Sequence, residues 1–551
     1  MAINPNNSPE AWLEASTAHG MAGRYVEAVV ACDQAIQLNP AYALAYFLKG
    51  AALTELNRYE EALVAYDRAC QLDPSNAGFY VGKGLALAGL RRYGEALEAY
   101  DRTLALDPNN IIAWAYKGDT LAEQKRYEDA LEAYDRAIQL DPANPGTYAV
   151  KGMALVKLNR FEEALEANDR AIQLAPAVAG GYVGKGDALN RLRRFEEALA
   201  AYDRATQLNP DHALAHANRG AVLTDLGRYE EALAAYNRAI QLNPADVGAY
   251  FGKGLALHIG LKRYEEALPV WDSILQLNPA DEVADTYKGN TLLSLKRFED
   301  ALAAYDCALD LDPGYALAWS NKGAALNDLG RYEEALAACS RALTLDANDS
   351  LTWNNGGIAL KNLGRHREAL AAYDQALALD RNNALAWNNR GNVFSDLGFH
   401  EEALTHSERA LLLDPNNADF WHSKGLTLYD LERYEEALSA YDRALELSPN
   451  NAGFWNDKGN VLIRLQRFEE ALAPYDHSLA LNPNNADAWF NKGVVLEVLR
   501  RVEEALASYD RALALNPSDP ANWHAHARIY RFMGNPAKAE AAERRARELG
   551  R

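Results

Sequence analysis

Apolar residues recur along this chain at helical spacing, in paired segments that together occupy 34 residues. We number each repeat so that its recurrent glycine is position 8. Positions 4, 7, 8 and 11 fall on one face at about 100° per residue, and positions 17, 20, 24 and 27 do the same in the second segment. Each repeat is therefore predicted to be two amphipathic helices joined by a short polar turn such as Asn57-Arg58.

The repeat is nearly invariant in length. An alanine follows the glycine after twelve residues, as Ala62 follows Gly50, and one step of 35 residues interrupts the series. The position-8 glycines are Gly50, Gly84, Gly118, Gly152, Gly186, Gly220, Gly254, Gly289, Gly323, Gly357, Gly391, Gly425, Gly459 and Gly493. Extending the register to Ser16 and Ala527 gives sixteen repeats. We expect a lead-in over 1–8, repeats 1–8 over about 9–281, repeats 9–15 over about 282–519, and repeat 16 over about 520–551.

Both ends of the series have the features of helix caps. Ser8-Pro9 is typical of a helix start, and Asn535-Pro536 repeats the device before a last, highly charged helix. Because a single helix pair cannot bury its apolar face, stacking of neighbours has to supply the core. We interpret the chain as a complete array with a charged capping helix and no missing catalytic domain.

One repeat is irregular. It carries the inserted residue within His258-Ile259-Gly260, and Pro269 falls inside its second helix. Proline removes a backbone donor and favours a kink. A hinge between the two halves of the array and a tolerated local defect are both consistent with this pattern.

Composition and charge narrow the function. The net charge of −21 argues against nucleic acid, whose binding depends on clustered basic residues. Four cysteines far apart indicate neither a disulfide framework nor a zinc site. No leader pattern and no long apolar run occur, so we expect a cytoplasmic protein that does not enter a membrane.

The repeat resembles the tetratricopeptide repeat, in a variant with Lys or Arg at position 7, as at Lys322, Arg390 and Lys492. That resemblance covers nearly the whole chain. It implies an all-α, right-handed α-solenoid in which the first helices line a concave groove and the second helices form the convex side. It also implies that positions 2, 5, 6, 9 and 13 of the first helices line the groove.

Several fragments resemble catalytic or metal motifs, but their context is that of the repeat. The glycine-rich run from Gly78 to Gly84 lies inside a predicted helix and lacks the Ser or Thr of a phosphate loop. His400-Glu401-Glu402 lacks the second histidine of a zinc-protease helix. We therefore predict no catalytic residue, no metal and no cofactor.

Asparagine is unusually frequent at the predicted groove positions. Asn costs about 0.6 kcal/mol relative to Ala in a helix, whereas a solvated face normally carries better helix formers. A column of amides can hydrogen-bond the main chain of an extended peptide. The arrangement resembles the asparagine ladder of the O-linked N-acetylglucosamine transferase repeat domain, whose catalytic region this chain lacks. The residues are Asn218, Asn290, Asn321, Asn354, Asn355, Asn388, Asn389, Asn392, Asn456, Asn460 and Asn491. Duplication of a Trp-Asn-Asn-Lys-Gly segment is the alternative origin.

The first half of the groove has a different composition. Position 6 is glycine at 82, 184 and 252, and Phe47 and Phe251 at position 5 are expected to be exposed anchors for partner side chains. Asp119 and Asp187 at position 9 add negative charge, so an extended, neutral-to-basic partner segment is predicted. No repeat has the position-5 lysine of an acidic chaperone-tail clamp, and we expect no binding of such tails.

These observations favour a non-enzymatic scaffold that binds an extended protein segment in its groove. The alternative from another class is a structural rod that self-assembles through its ends or convex faces. A weaker third hypothesis is an accessory to an enzyme supplied by another chain.

Overall fold

The computed structural model describes residues 8–550, which form 32 α-helices, one π-helical turn and no strand. Contacts divide the chain into two compact units, Met1–Pro279 and Ala280–Arg551, here called the N-terminal and C-terminal halves. In both halves consecutive helices pair through a tight turn and each pair stacks on the next. The prediction of an all-α solenoid of helix-turn-helix repeats is confirmed.

The N-terminal half contains α1 (Pro9–Met21), α2 (Tyr25–Leu38), α3 (Ala43–Glu55), α4 (Tyr59–Leu72), α5 (Ala77–Gly89), α6 (Tyr93–Leu106), α7 (Ile111–Glu123), α8 (Tyr127–Leu140), α9 (Pro145–Lys157), α10 (Phe161–Leu174), α11 (Ala179–Arg191), α12 (Phe195–Leu208), α13 (Ala213–Asp225), α14 (Tyr229–Leu242), α15 (Val247–Leu255), the π turn (Ala256–Gly260) and α16 (Tyr264–Leu277).

The C-terminal half contains α17 (Glu282–Ser294), α18 (Phe298–Leu311), α19 (Ala316–Asp328), α20 (Tyr332–Leu345), α21 (Ser350–Asn362), α22 (His366–Leu379), α23 (Ala384–Asp396), α24 (His400–Leu413), α25 (Ala418–Asp430), α26 (Tyr434–Leu447), α27 (Ala452–Arg464), α28 (Phe468–Leu481), α29 (Ala486–Val498), α30 (Val502–Leu515), α31 (Pro520–Phe532) and α32 (Pro536–Leu549).

Small residues let the two helices of each repeat approach closely. A Cβ added at Gly118 would lie 2.5 Å from Cε1 of Tyr134, the position-24 tyrosine of the same repeat. The position-20 alanines Ala62 and Ala96 are completely buried. Since such contacts exclude even a methyl group, the spacing of glycine, alanine and tyrosine fixes the packing within each repeat.

The turn between the two helices has a left-handed residue at position 15, seven residues after the glycine. Asn57 has φ 57°, and Gly330 has φ 72° at the same point of another repeat. The Asn57 N–H donates to Thr54 O and the Arg58 N–H donates to Leu53 O, both at 2.9 Å. These bonds satisfy carbonyls that the end of the first helix would leave unpaired.

Ion pairs join successive repeats. The position-7 base of one repeat meets the position-25 acid of the repeat before it, as Lys322 Nζ lies 2.5 Å from Asp306 Oδ1 and Lys492 Nζ lies 2.6 Å from Asp476 Oδ1. The pairs are partly exposed, so each contributes little to stability. These pairs matter more for the surface charge than for stability, because they neutralise many of the basic side chains within the array.

The predicted N-cap at Ser8 is confirmed, since its hydroxyl accepts from the Ala11 N–H at 3.3 Å. The remainder of the predicted lead-in, residues 1–7, lies outside the described residues, as does Arg551. Asn535 caps α32 by accepting from the Lys538 N–H at 3.2 Å.

The inserted residue is absorbed in the first helix of repeat 8. Regular α-helix ends at Leu255 and continues as the π turn, in which the Leu261 N–H donates to Ala256 O at 3.0 Å. A π turn accommodates one extra residue without breaking the helix. The second helix, α16, runs on through Pro269. The hinge stays a prediction.

Candidate functional site

Asparagines at positions 6 and 9 bond to each other across neighbouring repeats. Asn321 Nδ2 on α19 donates to Asn290 Oδ1 on α17 at 2.9 Å, and the buried Tyr305 hydroxyl donates to the same oxygen at 2.7 Å. The same three-residue arrangement recurs with Asn491, Asn460 and Tyr475, and with Asn218, Asp187 and Tyr202. These amides therefore hold the stack together.

Aspartate takes the position-9 role in the N-terminal half. Asp119 accepts from Tyr134 at 2.8 Å and Asp187 accepts from Tyr202 at 2.5 Å. Burial raises the pKa of both carboxyl groups, and the tyrosine hydrogen bonds partly offset that rise. Both predicted groove acids thus serve as acceptors within the stack.

Two of the predicted groove asparagines are buried, which corrects the expectation that they point away from the packing. Asn354 is 3% exposed and its Oδ1 accepts from Asn389 Nδ2 at 3.0 Å. Asn388 is 6% exposed and its Oδ1 has no hydrogen-bond partner among the described residues. Position 5 belongs to the packed side of the helix here, so these side chains are not exposed peptide ligands.

Other asparagines keep free hydrogen-bonding capacity. Among the described residues, the half-buried side chains of Asn355 and Asn392 have no hydrogen-bond partner, and no donor reaches the Oδ1 of Asn321 or Asn389. Asn456 Nδ2 reaches only the neighbouring Asp457, at 3.3 Å. A ligand could use the first four of these side chains without first breaking a bond inside the protein, whereas the Asn456 Oδ1 is buried.

The glycines and aromatics of the N-terminal half serve packing, which corrects the expectation that Phe47 and Phe251 are exposed anchors. A Cβ at Gly82 would lie 2.3 Å from the ring of Tyr66, so this position has to be glycine. Phe47 is half-buried, with its ring centroid 5.8 Å from that of Tyr66 and 5.2 Å from that of Phe79. Phe251 packs edge-on against Trp271 at 5.5 Å. These residues fill the core and do not form an exposed anchor surface.

The structure brings three of the predicted asparagines to one cleft in the C-terminal half. The cleft has a volume of about 450 Å³ and lies along α19 and α21, with Leu385 of α23 completing its lining. We call it the Leu–Asn cleft. Its defining residues are Leu317, Leu351, Leu385, Asn321, Asn354 and Asn355.

A polar cluster forms one side of the Leu–Asn cleft. Asp349 caps α21, its Oδ1 accepting from the Leu351 N–H at 3.0 Å. Its Oδ2 accepts from the Ser320 hydroxyl at 3.3 Å, and the Thr352 hydroxyl lies in hydrogen-bond contact with both residues. Asp346, in the preceding turn, adds a second carboxylate to the lining. The cleft therefore combines apolar, amide and acidic groups.

Sequence reasoning missed the leucines and the cap cluster. Leu317, Leu351 and Leu385 are 43%, 56% and 48% exposed although each begins an apolar-looking helix. The available signal was the recurrence of leucine at position 2 in three successive repeats, beside asparagine at position 6 in the same three. A second overlooked signal was the 31-residue spacing that links Asn290 to Asn321.

The described residues contain no group of three or more His, Cys, Asp or Glu side chains arranged to hold a metal. His524 and His526 reach separate partners, Glu543 at 3.3 Å and Asp510 at 2.8 Å. Cys32 and Cys339 pack in the core, because the two side chains are 0% and 1% exposed. None of the described helices has both the length and the hydropathy needed to cross a membrane.

No curated protein matches the chain. Solved structures similar to it include the APC/C hetero-tetramer Cut9-Hcn1, at 17% identity and TM-score 0.44, covering 89% of this chain and 96% of that one. YrrB, a TPR protein with an unusual peptide-binding site, is 30% identical over 34% of this chain and 98% of its own, with TM-score 0.30. Naa15/Naa10 bound to HypK-THB is 16% identical over 98% and 99%, with TM-score 0.34.

Family models match most of the sequence. A model described as TPR repeat matches residues 50–90 and 357–398. The model described as tetratricopeptide repeat matches residues 81–145, 150–213, 183–247, 218–282, 288–350, 390–452 and 456–520. Since these ranges together span far more than half of its length, the chain belongs to the tetratricopeptide-repeat family.

Proposed function

We propose that this protein is a non-enzymatic interaction scaffold that binds an extended segment of a partner protein in the Leu–Asn cleft. The observation that carries the proposal is the unpartnered side chain of Asn355, which lines the cleft together with Asn321 and exposed Leu351. An amide offers a donor and an acceptor to a peptide main chain, and leucine offers apolar surface.

Charge favours a neutral or basic partner. Asp346 and Asp349 line the cleft, whereas no lysine or arginine does. Binding of an acidic chaperone tail is therefore disfavoured, as it is by the absence of lysine at position 5. Nucleic acid is disfavoured too, since position-7 bases such as Lys322 are paired with acids of the preceding repeat.

The experiment that tests the proposal is an affinity purification from lysate with quantitative mass spectrometry. The native chain is compared with a variant carrying Asn321→Ala, Asn355→Ala, Asn389→Ala and Asn491→Ala. Three of these changes also remove a bond between repeats. The matched control is Asn218→Ala, which removes the equivalent bond to Asp187 in the other half. Circular dichroism verifies that both variants remain helical.

We expect partner proteins that the control retains and the fourfold variant loses. Identical partner lists for all three chains would contradict the proposal. If the chain instead retains no partner and its size rises with concentration in light scattering, the self-assembling rod becomes the better hypothesis. The exposed Val26, Val30 and Val64 on second helices of repeats 1 and 2 favour that second candidate, because they offer apolar surface outside the groove.

A further inference from the structure

Large apolar side chains occupy position 2 of four consecutive repeats, Val283, Leu317, Leu351 and Leu385, and the three leucines line the Leu–Asn cleft. Position 2 of repeats 10, 11 and 12 is Leu317, Leu351 and Leu385. In the repeats that follow it is aspartate, glycine, aspartate and alanine. In repeats 1–8 it is glutamate, leucine, glycine, isoleucine, glycine, glycine, leucine and glycine, so no two successive repeats there carry a large apolar side chain. The three leucines are about half exposed, so they form one row of apolar surface that nothing in the described chain covers.

Each leucine lies one helical turn before a groove asparagine. The pairs are four residues apart, and residues at that spacing share a face of a helix. The pairs are Leu317 with Asn321, Leu351 with Asn355, and Leu385 with Asn389. The first helices of three successive repeats, α19, α21 and α23, therefore present the same Leu-Asn pair, so the leucines form one row and the asparagines a second row beside it.

The distance between the rows follows from direct packing of the three helices. Thr352 Oγ1 on α21 lies 2.5 Å from Ser320 Oγ on α19, and Asn389 Nδ2 on α23 lies 3.0 Å from Asn354 Oδ1 on α21. Helices in such contact have axes about 8–10 Å apart. Equivalent leucines on successive helices are consequently separated by roughly that distance.

This separation selects one extended conformation. Polyproline II rises about 3.1 Å per residue with three residues per turn, so residues on one side recur about every 9.3 Å. In a β-strand, side chains on one side recur about every 6.6 Å, and every second one of them recurs about every 13 Å. Neither spacing matches the separation of about 8–10 Å between the leucines. A polyproline II segment matches the leucine rows in register.

We infer that the Leu–Asn cleft binds a partner segment in the polyproline II conformation that has an apolar side chain at every third position and a flanking basic residue. This rests on the proposed scaffold function and adds the sequence of the ligand to it. The apolar side chains contact the leucine row. The main chain, whose carbonyls and N–H groups are not used within polyproline II, bonds to the asparagine row. The basic residue meets Asp346 beside the cleft.

Fluorescence anisotropy with the purified full chain tests the inference. Two labelled synthetic peptides have the same amino-acid composition, which consists of leucine, proline, glutamine and one terminal lysine. The first has leucine at positions 1, 4 and 7, and the second has it at positions 1, 3 and 5. We expect the period-three peptide to bind at least tenfold more tightly. Replacing its lysine by glutamate should weaken binding severalfold.

The protein variant that tests the row is Leu317→Gln with Leu351→Gln and Leu385→Gln. Glutamine is a good helix former and the leucines are exposed, so folding should be retained. The matched control is Leu214→Gln, a 53% exposed position-2 leucine whose neighbours at that position are glycines. We expect the triple variant to lose at least tenfold in affinity for the period-three peptide, and the control to lose none.

Three outcomes overturn the inference: equal or tighter binding of the other peptide, loss of affinity in the control equal to that in the triple variant, and no binding of either peptide. The proposed function is judged separately. If Asn355→Ala weakens the binding of both peptides equally while the leucine variant weakens the binding of neither, the proposed scaffold function is retained and the period-three inference is rejected. If the fourfold asparagine variant retains the partner proteins of the native chain, both the proposed function and the inference are rejected.

Discussion

The asparagines of the C-terminal half differ in how many bonds they make, and their alanine variants should rank accordingly in stability. Asn290 accepts from both Tyr305 and Asn321, Asn321 makes one of those two bonds, and the side chain of Asn355 makes none. All three lie inside first helices, so the gain in helix propensity on replacement by alanine is the same. The difference between the variants therefore isolates the bonds between repeats.

The magnitudes follow from the contacts. Replacement of Asn by Ala gains about 0.6 kcal/mol in helix propensity. A hydrogen bond contributes about 1 kcal/mol, and a buried group that is left without a partner costs about 1–3 kcal/mol. Asn290→Ala loses two bonds and strands the completely buried Tyr305 hydroxyl, so we expect a destabilisation of about 2 kcal/mol. Asn321→Ala should be close to neutral, and Asn355→Ala should stabilise by about 0.5 kcal/mol.

The assay is hydrogen exchange with mass spectrometry on the full chain, resolved to peptides from repeats 9–11. Repeat arrays often depart from two-state unfolding, so a local measurement is preferable to a single global midpoint. Exchange should accelerate around α17–α19 for Asn290→Ala and slow slightly around α21 for Asn355→Ala. The reasoning is refuted if Asn355→Ala accelerates exchange around α21 as much as Asn290→Ala accelerates it around α17–α19.

Three further predictions concern packing, thiol reactivity and pH. Gly94→Ala should stabilise by up to about 1 kcal/mol in urea unfolding, because its added Cβ meets nothing, whereas Gly84→Ala should destabilise by about 1–3 kcal/mol, because its Cβ would lie 2.4 Å from a buried tyrosine ring. Iodoacetamide followed by peptide mapping should modify exposed Cys307 first and leave Cys339 intact, since burial raises the pKa of the Cys339 thiol to about 12. Burial also raises the folded-state pKa of Asp187, so its stabilising effect is present at low pH and is lost as pH rises through that pKa. Asp187→Asn should consequently gain stability over the native chain between acidic and neutral pH, and equal unfolding midpoints throughout that range would contradict the assignment.

The fold could be predicted from sequence because one short pattern is repeated many times. The position-8 glycine needs a partner with a flat ring or a small side chain, and Tyr134 opposite Gly118 fulfils that need within the same repeat. Where one repeat departs from the pattern, its neighbours still indicate the register, because the same spacing recurs in them. Even the insertion at residues 258–260 left the register on both sides unchanged.

The site was harder to predict because helical periodicity assigns a face but not the environment of each side chain. Position 5 is at the border of the packed face, so Asn354 and Asn388 are buried while Asn355, one residue later, is not. At Gly82 the ring of Tyr66 occupies the space that a side chain would take. Such details depend on the neighbouring repeat, which a single helical wheel does not contain.

The pairing of positions 9 and 6 accounts for two of the four position-6 asparagines in the C-terminal half, Asn321 and Asn491. Where position 9 is alanine or methionine and the position-24 side chain leans toward the next repeat, position 6 there is glycine, as at Gly82 and Gly184. Where position 9 is Asn290 or Asn460, it holds the tyrosine hydroxyl and leaves room for an asparagine at the next position 6. The position-6 asparagine donates one N–H to the neighbouring repeat, and its Oδ1 and second N–H stay available to a ligand. Close stacking thus places amides along the groove whether or not a ligand is bound, so recognition depends on residues that stacking does not require. In the C-terminal half those residues are the position-2 leucines and the side chain of Asn355, which is why binding should respond to them more sharply than stability does.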